Sequence, residues 1–158
     1  QKGIALHRAI DQFTDDHAVT QAAKLFFKPA YRLYAGAFVD VVYDHFLAND
    51  PNLFDDASLK EFSRSTYQIL ENYSTHLPAR FFYVFTYMKM EDWLYNYKFN
   101  EGIGKTLRGL ARRATYLKET DTAYQLFLEH HAYLNQCYQQ FFPDVKQFAK
   151  QKFEQLIH

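Results

Sequence analysis

The residues best suited to chemistry lie on one apolar segment, which runs from Gly36 to Ala48. Apolar side chains occupy nearly every direction of a helical wheel drawn for this segment, and that pattern is typical of a buried helix. The segment nevertheless carries Asp40, Asp44 and His45. Asp40 and Asp44 share one helix face, and His45 is turned about 100° away from Asp44. Because a buried carboxylate is costly unless it is compensated, the sequence predicts that these groups have partners.

Two kinds of partner fit these three groups. The carboxylates could pair with Arg32 or Arg8, while His45 is an ordinary hydrogen-bonded core histidine. The alternative is a divalent ion such as Mn²⁺, Mg²⁺ or Zn²⁺, since mixed imidazole and carboxylate ligands suit these ions. Three ionisable groups within six residues of an apolar helix favour the metal site.

A second polar cluster lies on the first helix, where His7, Asp11 and Thr14 follow one another on one face. A His and an Asp four residues apart form a platform for two ligands of a metal ion. Taken alone, this spacing favours an ordinary solvated face, because any surface helix shows polar residues opposite its apolar ones. Together with the segment from Gly36 to Ala48, it predicts one metal site between neighbouring helices.

The elements that must position these residues are helices. The chain has 158 residues, of which 48% are hydrophobic and only five are Gly and four Pro, and no strand-and-turn rhythm is present. We expect one all-α domain, a single-domain helical bundle spanning residues 1–158. The predicted helices run over residues 3–13, from a cap at 15 or 16 to 27, 29–48, from a cap at 58 to 73, 78–99, after a break at 100–104 to 116, from a cap at 120 or 121 to 142, and 143–157. Residues 81–87 could equally form a strand.

Composition and motifs exclude several classes of protein. Eighteen basic residues balance eighteen acidic ones, which argues against a nucleic-acid partner, and the longest apolar stretch is too short to span a membrane. The single Cys137 fits a reducing compartment, so we expect a cytoplasmic protein. The sequence lacks the glycine-rich motifs of nucleotide-binding enzymes and the nucleophile-elbow motif of serine hydrolases. Because the chain opens at Gln1 directly into a helix, we expect that its start is missing or processed.

One stretch is locally basic, from Ile103 to Lys118, and contains no acidic residue. Its cations are Lys105, Arg108, Arg112, Arg113 and Lys118. The ordinary interpretation is a solvated helix face that pairs with acids elsewhere in the fold. The functional interpretation is a docking surface for an acidic partner or a phosphate.

Two motifs in combination resemble a known family. They are HR-x-ID-x-x-TD at residues 7–15 and D-x-x-x-DH-x-L at residues 40–47, and further matches follow at residues 93–97, 103–109, 112–113 and 141–143. The chain resembles the acyl carrier protein phosphodiesterase family, which is all-α and related to the HD-type metal-dependent phosphohydrolases. The resemblance implies a cytoplasmic hydrolase of lipid metabolism and fatty acid biosynthesis. It would remove phosphopantetheine from holo-acyl carrier protein with Mn²⁺ or Mg²⁺. Family members normally carry a Gly-Asn…Asp motif before the first helix, and this chain starts after that motif.

The positions that match the family are His7, Arg8, Asp11, Asp15, Asp40, Asp44 and His45. The mechanism that we infer from the resemblance is a hypothesis, and it gives roles to these and to further residues. The expected metal ligands are His7, Asp44 and His45, with Asp40 and Asp11 next, and either Asp11 or Asp40 would act as the base. The expected substrate-binding residues are Arg8, which also counts among the catalytic residues, Arg32, Lys105, Arg108, Arg112 and Arg113. Two other functions remain open on the sequence: an HD-like metal phosphohydrolase acting on a small nucleotide or phosphoester, and a non-enzymatic helical interaction module.

Overall fold

Helical periodicity accounts for the regular elements of the computed structural model, which describes residues 2–113 and 121–157, except for the side chain of Arg113. Within these residues every regular element is helical, so the predicted all-α class is confirmed. The helices are α1 (Lys2–Asp16), α2 (Ala18–Tyr31), α3 (Ala35–Ala48), α4 (Asp56–Asn72), α5 (Ala79–Met90), α6 (Trp93–Asn96), α7 (Asn100–Arg113), α8 (Thr122–Glu129) and α9 (His131–Ile157). Short 3₁₀ turns occupy Arg32–Tyr34 and Ser74–His76. None of the described helices combines the length and the apolar character that crossing a bilayer would require.

The chain divides into two compact units, residues 1–43 with 107–158, and residues 44–106. In the first unit α1 packs against α2 and α9, and α2 also packs against α8. The core of this unit contains Phe27, Phe38, Phe127 and Leu134, all of them fully buried. The predictions of a single domain and of an HD-like arrangement stay predictions.

The second unit is built around α4 and α6. Asp55 caps α4, since its carboxylate accepts the backbone N–H of Ser58 while the Ser58 hydroxyl binds the Asp55 N–H. The expected cap at Ser58 with Glu61 is therefore three residues too late. The hydroxyl of Tyr67 accepts the backbone N–H of Leu94 and so ties α6 to α4. Trp93 starts α6.

Several predicted helix ends are wrong, and the prolines account for two of them. Pro29 and Pro143 were expected to begin helices, yet each lies inside one. α2 continues past Pro29 because Phe27 and Tyr31, on one face, are both buried. The last long helix breaks at His130 instead of at Pro143.

The expected break at residues 100–104 is the first turn of α7. Here Gly102 packs so closely on α6 that a Cβ would lie 2.0 Å from the Asn96 carbonyl oxygen. The predicted helix over residues 78–99 is instead interrupted at Asp92, whose φ of 44° ends the run of α5. The strand alternative for residues 81–87 is wrong, because they form α5.

Candidate active site

Helices α1, α2 and α3 of the first unit line a cavity of about 430 Å³. Its chemistry-bearing residues are Asp15 from α1, Lys24 and Lys28 from α2, Arg32 from the following turn, and Asp40 from α3, with Gly36 between the last two. Two of these residues, Arg32 and Asp40, are site residues that the sequence predicted.

Lys24 is the buried cation of the cavity. It is 8% exposed, and its Nζ lies 2.7 Å from the Asp15 carboxylate oxygen and 3.4 Å from the Asp15 carbonyl oxygen. The Asp15 side chain remains 66% exposed. Gly36 lies beside the ion pair, since a Cβ added to it would lie 3.5 Å from Cε of Lys24 and 3.6 Å from the Asp15 carboxylate oxygen.

Asp40 has an unusual ionisation. Its side chain keeps contact with solvent at the cavity, yet protein surrounds it on its other sides. This burial is the main reason why the pKa of Asp40 rises to about 6. Repulsion by Asp15 and Asp11 raises it further, while the charge of Lys24 lowers it. A carboxyl group with a pKa near neutrality can exchange a proton with a reacting group at physiological pH.

Arg32 sits at the edge of the cavity in an uncommon backbone conformation. Its φ is 46° and its ψ −115°, and its N–H donates to the Lys28 carbonyl, which closes α2. L-residues are disfavoured in this region of the Ramachandran map, and such residues cluster at functional sites. The guanidinium and the Lys28 ammonium are both well suited to phosphate oxygens.

The predicted cluster on the first helix is only partly brought to this site. His7 and Asp11 form an exposed pair, with Nδ1 lying 3.2 Å from the carboxylate oxygen, and their side chains are 75% and 59% exposed. Asp11 is close enough to Asp40 to raise its pKa. Arg8 is exposed on the same helix.

The predicted cluster on α3 separates into an open face and a buried histidine. Asp44 is exposed, so the expectation that its carboxylate is buried is wrong. Asp40 is exposed toward the cavity, and the expectation holds for it only in so far as desolvation raises its pKa. Asp40 and Asp44, four residues apart, are the exposed residues of α3, whose other residues are buried or half-buried. His45 is buried, as expected, and its Nδ1 donates to the Tyr97 carbonyl oxygen at 2.7 Å. Burial raises the pKa of Tyr97, and the charge of Asp44 adds to the rise.

The described side chains do not fit a metal centre with three or more protein ligands. Across residues 2–113 and 121–157, no three His, Cys, Asp or Glu side chains are grouped in a way that could hold an ion. We therefore assign no step of a reaction to a metal. The Mn²⁺ or Mg²⁺ cofactor, with His7, Asp11, Asp40, Asp44 and His45 as its ligands, stays a prediction.

Part of the basic stretch pairs with acids, as its ordinary interpretation expected. Lys105 lies 3.0 Å from Glu101, and Nε of Arg108 lies 2.6 Å from the Asp121 carboxylate. Arg112 is exposed. The side chain of Arg113 and all of Lys118 lie outside the described residues.

A larger cavity, of about 480 Å³, lies within residues 44–106. Its charged residues are Glu91, Asp92, Glu101 and Lys105, and Lys105 is paired with Glu101. This excess of negative charge repels a phosphodiester, which is itself an anion. The smaller cavity, with three cations and two carboxylates, is the better candidate.

Comparison with known proteins decides the family. The family model for acyl carrier protein phosphodiesterase matches residues 1–145. The chain belongs to the acyl carrier protein phosphodiesterase family. Similar curated proteins, each named acyl carrier protein phosphodiesterase, include one from Klebsiella pneumoniae that is 32% identical over 95% of this chain and 78% of the relative. One from Photorhabdus laumondii is 29% identical over 95% of this chain and 76% of the relative. No solved structure matches the chain.

Lys24 and Lys28 line the candidate site but were not among the site residues that the sequence predicted. The signal for Lys24 was present in α2, where Thr20, Ala23, Phe27 and Tyr31 form the buried face. Lys24 occupies a position on that face where an apolar residue is expected. A lysine rarely lies so deep without a partner. The apolar pattern of α2 thus contained a signal that motif spacing alone did not reveal.

Proposed function

We propose that this chain is a phosphoric diester hydrolase that acts on holo-acyl carrier protein and releases phosphopantetheine and the apo-carrier. Membership of the acyl carrier protein phosphodiesterase family supports this substrate. The observation that carries the proposal is the cavity in which Asp40, with a pKa of about 6, faces the same space as Lys28 and Arg32.

The cations of the cavity bind and orient the phosphodiester. The Arg32 guanidinium offers two parallel N–H groups to the non-bridging oxygens, and Lys28 adds a point charge. Both stabilise the negative charge that grows on these oxygens as water attacks phosphorus. The residues that line the cavity include Lys28 and Arg32 but not Arg8, so we leave the phosphate to the cavity residues.

Asp40 is the proposed general base. Its carboxylate accepts a proton from the attacking water while the new phosphorus–oxygen bond forms. The bond from phosphorus to the carrier serine then breaks, and the serine oxygen takes up a proton from solvent. Asp40 returns the proton that it accepted to solvent, so the reaction consumes one water molecule and leaves Asp40 as it started. Asp11 contributes through its charge, which keeps the pKa of Asp40 high.

The carrier protein itself needs a docking surface, and we propose that the basic stretch of α7 contributes to it. Since Lys105 and Arg108 are each paired with a carboxylate, the exposed Arg112 is the cation that we expect to matter most. The Arg112→Glu variant should raise KM for the carrier in a manner that weakens at high salt. Its rate on a small diester should be unchanged.

The test is incubation with purified holo-carrier, followed by mass spectrometry of the carrier. The wild type should remove one phosphopantetheine group, and Asp40→Asn should be slower by roughly 10²–10⁴-fold, the usual contribution of a general base. Asp16→Asn is the matched control, because Asp16 lies on α1 beside Asp15 but outside the cavity. Parallel reactions with Mn²⁺ and with EDTA test the predicted metal dependence.

The substrates separate this proposal from the other two functions. An HD-like enzyme for small phosphoesters would cleave small diesters and spare the holo-carrier. A non-enzymatic interaction module would cleave neither. An Asp40→Asn variant with full activity on the holo-carrier would contradict the role of Asp40 while leaving the activity itself in place.

A further inference from the structure

We infer that Lys24 binds the phosphate of the substrate as the innermost cation of the cavity, an inference that rests on the proposed function. The sequence did not single out Lys24. It lines the cavity with its side chain only 10% exposed, whereas an ordinary lysine extends into solvent. A buried ammonium in a solvent-connected cavity is well placed to meet an anion that enters.

The hydrogen bonds of Lys24 leave room for that anion. An ammonium has three N–H donors. Among the described residues, the acceptors recorded within hydrogen-bond distance of Nζ both belong to Asp15, one at 2.7 Å and the other at a marginal 3.4 Å. At least one donor is therefore available to a phosphate oxygen without breaking the ion pair.

Sequence spacing places Lys24 in a row of cations. Lys24 and Lys28 lie four residues apart on one side of α2, and Arg32 follows four residues later in the turn after the helix. All three line the cavity. With Asp15 and Asp40 ionised, this set carries a net charge of +1, and a phosphodiester carries −1. The row therefore leads an anion from the exposed Arg32 to the buried Lys24.

Asp15 has a supporting role in this arrangement. It holds the ammonium of Lys24 in place and compensates its charge when the cavity contains only water. Because the Asp15 carboxylate is 66% exposed, water can solvate it if Lys24 is removed. We therefore expect the Lys24→Met variant to fold, since methionine fills a similar volume on the buried face of α2.

The experiment is isothermal titration calorimetry with inorganic phosphate and with phosphopantetheine, in a buffer that contains EDTA. The wild type should bind both, and Lys24→Met should bind both at least tenfold more weakly, because a hydrogen bond to a charged group is lost. Lys24→Arg should recover part of the affinity. Lys60→Met is the matched control, since Lys60 also pairs with an Asp, at 2.9 Å, but lies on α4.

Two results would overturn the inference: a wild type that binds neither ligand, or a Lys24→Met variant, folded by circular dichroism, that binds both as tightly as the wild type. Failure of the proposed function looks different. If phosphate binding depends on Lys24 but holo-carrier keeps its phosphopantetheine, the anion site stands and the assigned substrate falls.

Discussion

The backbone conformation of Arg32 leads to the prediction that an Arg32→Gly variant gains stability and loses activity. With φ at 46° and ψ at −115°, an L-residue at this position carries strain of about 1–3 kcal/mol, whereas glycine adopts these angles freely. Arg32→Gly relieves the strain but makes the unfolded chain more flexible, which costs about 0.4–1 kcal/mol. Arg32→Ala loses the same guanidinium and keeps the strain, so it is the reference variant.

We expect the glycine variant to be more stable than the alanine variant by about 1 kcal/mol, which corresponds to roughly 2–4 °C in Tm for a chain of this size. Both variants should lose about tenfold or more in kcat/KM for holo-carrier, because each lacks a charge-assisted bond to the phosphate. The assays are thermal unfolding by circular dichroism and release of phosphopantetheine. Equal Tm values for the two variants would refute the strain at position 32, and unchanged kcat/KM would refute the phosphate contact.

Four variants test the fold and the ionisation of Asp40. The pKa of Asp40 is about 6 in the folded protein, above its ordinary value of 3.8, so the charged carboxylate destabilises the fold once the pH rises above about 6. Asp40→Asn should therefore raise Tm at pH 8 in EDTA and leave it unchanged near pH 3; a uniform shift at both pH values would contradict this. Gly102→Ala should lower Tm sharply because its Cβ meets a backbone oxygen, whereas Gly109→Ala, with nothing within 4 Å, should raise stability by up to about 1 kcal/mol. Asp55→Ala should lower the free energy of unfolding by about 1 kcal/mol, measured by chemical denaturation, because α4 loses its cap. An unchanged free energy of unfolding would contradict a stabilising role of this cap.

The sequence was a good guide to the fold class and to two residues of the cavity. Helical periodicity is a local property, so it correctly predicts an all-α protein even where the helix ends are wrong. Asp40 stood out because the helical wheel of α3 and the family motif both contain it. Arg32 was predicted as a partner for the carboxylates of α3 or for the phosphate. Both lie in the cavity that carries the proposed function.

The remaining features depend on contacts that a wheel does not represent. The wheel of α3 suggested a helix buried all round, but Asp40 and Asp44 lie on the side that the neighbouring helices leave open. Pro29 was expected to start a helix, but α2 continues past it. The burial of Phe27 and Tyr31 that stabilises this continuation is a tertiary effect, which the sequence pattern does not show. Lys24 interrupts the apolar pattern of α2, but only the cavity beside it shows that this lysine belongs to the candidate site.

Because of its position, Trp93 can report whether the two units of the chain unfold together. It is the lone tryptophan of the chain and lies in the unit of residues 44–106, where its indole N–H donates to Glu91. Its fluorescence follows the melting of that unit, whereas the far-ultraviolet signal averages the helices of both units. Coincident melting curves would mark a chain that unfolds in one step, as a single domain does. Separate curves would show which half of the molecule loses its order first.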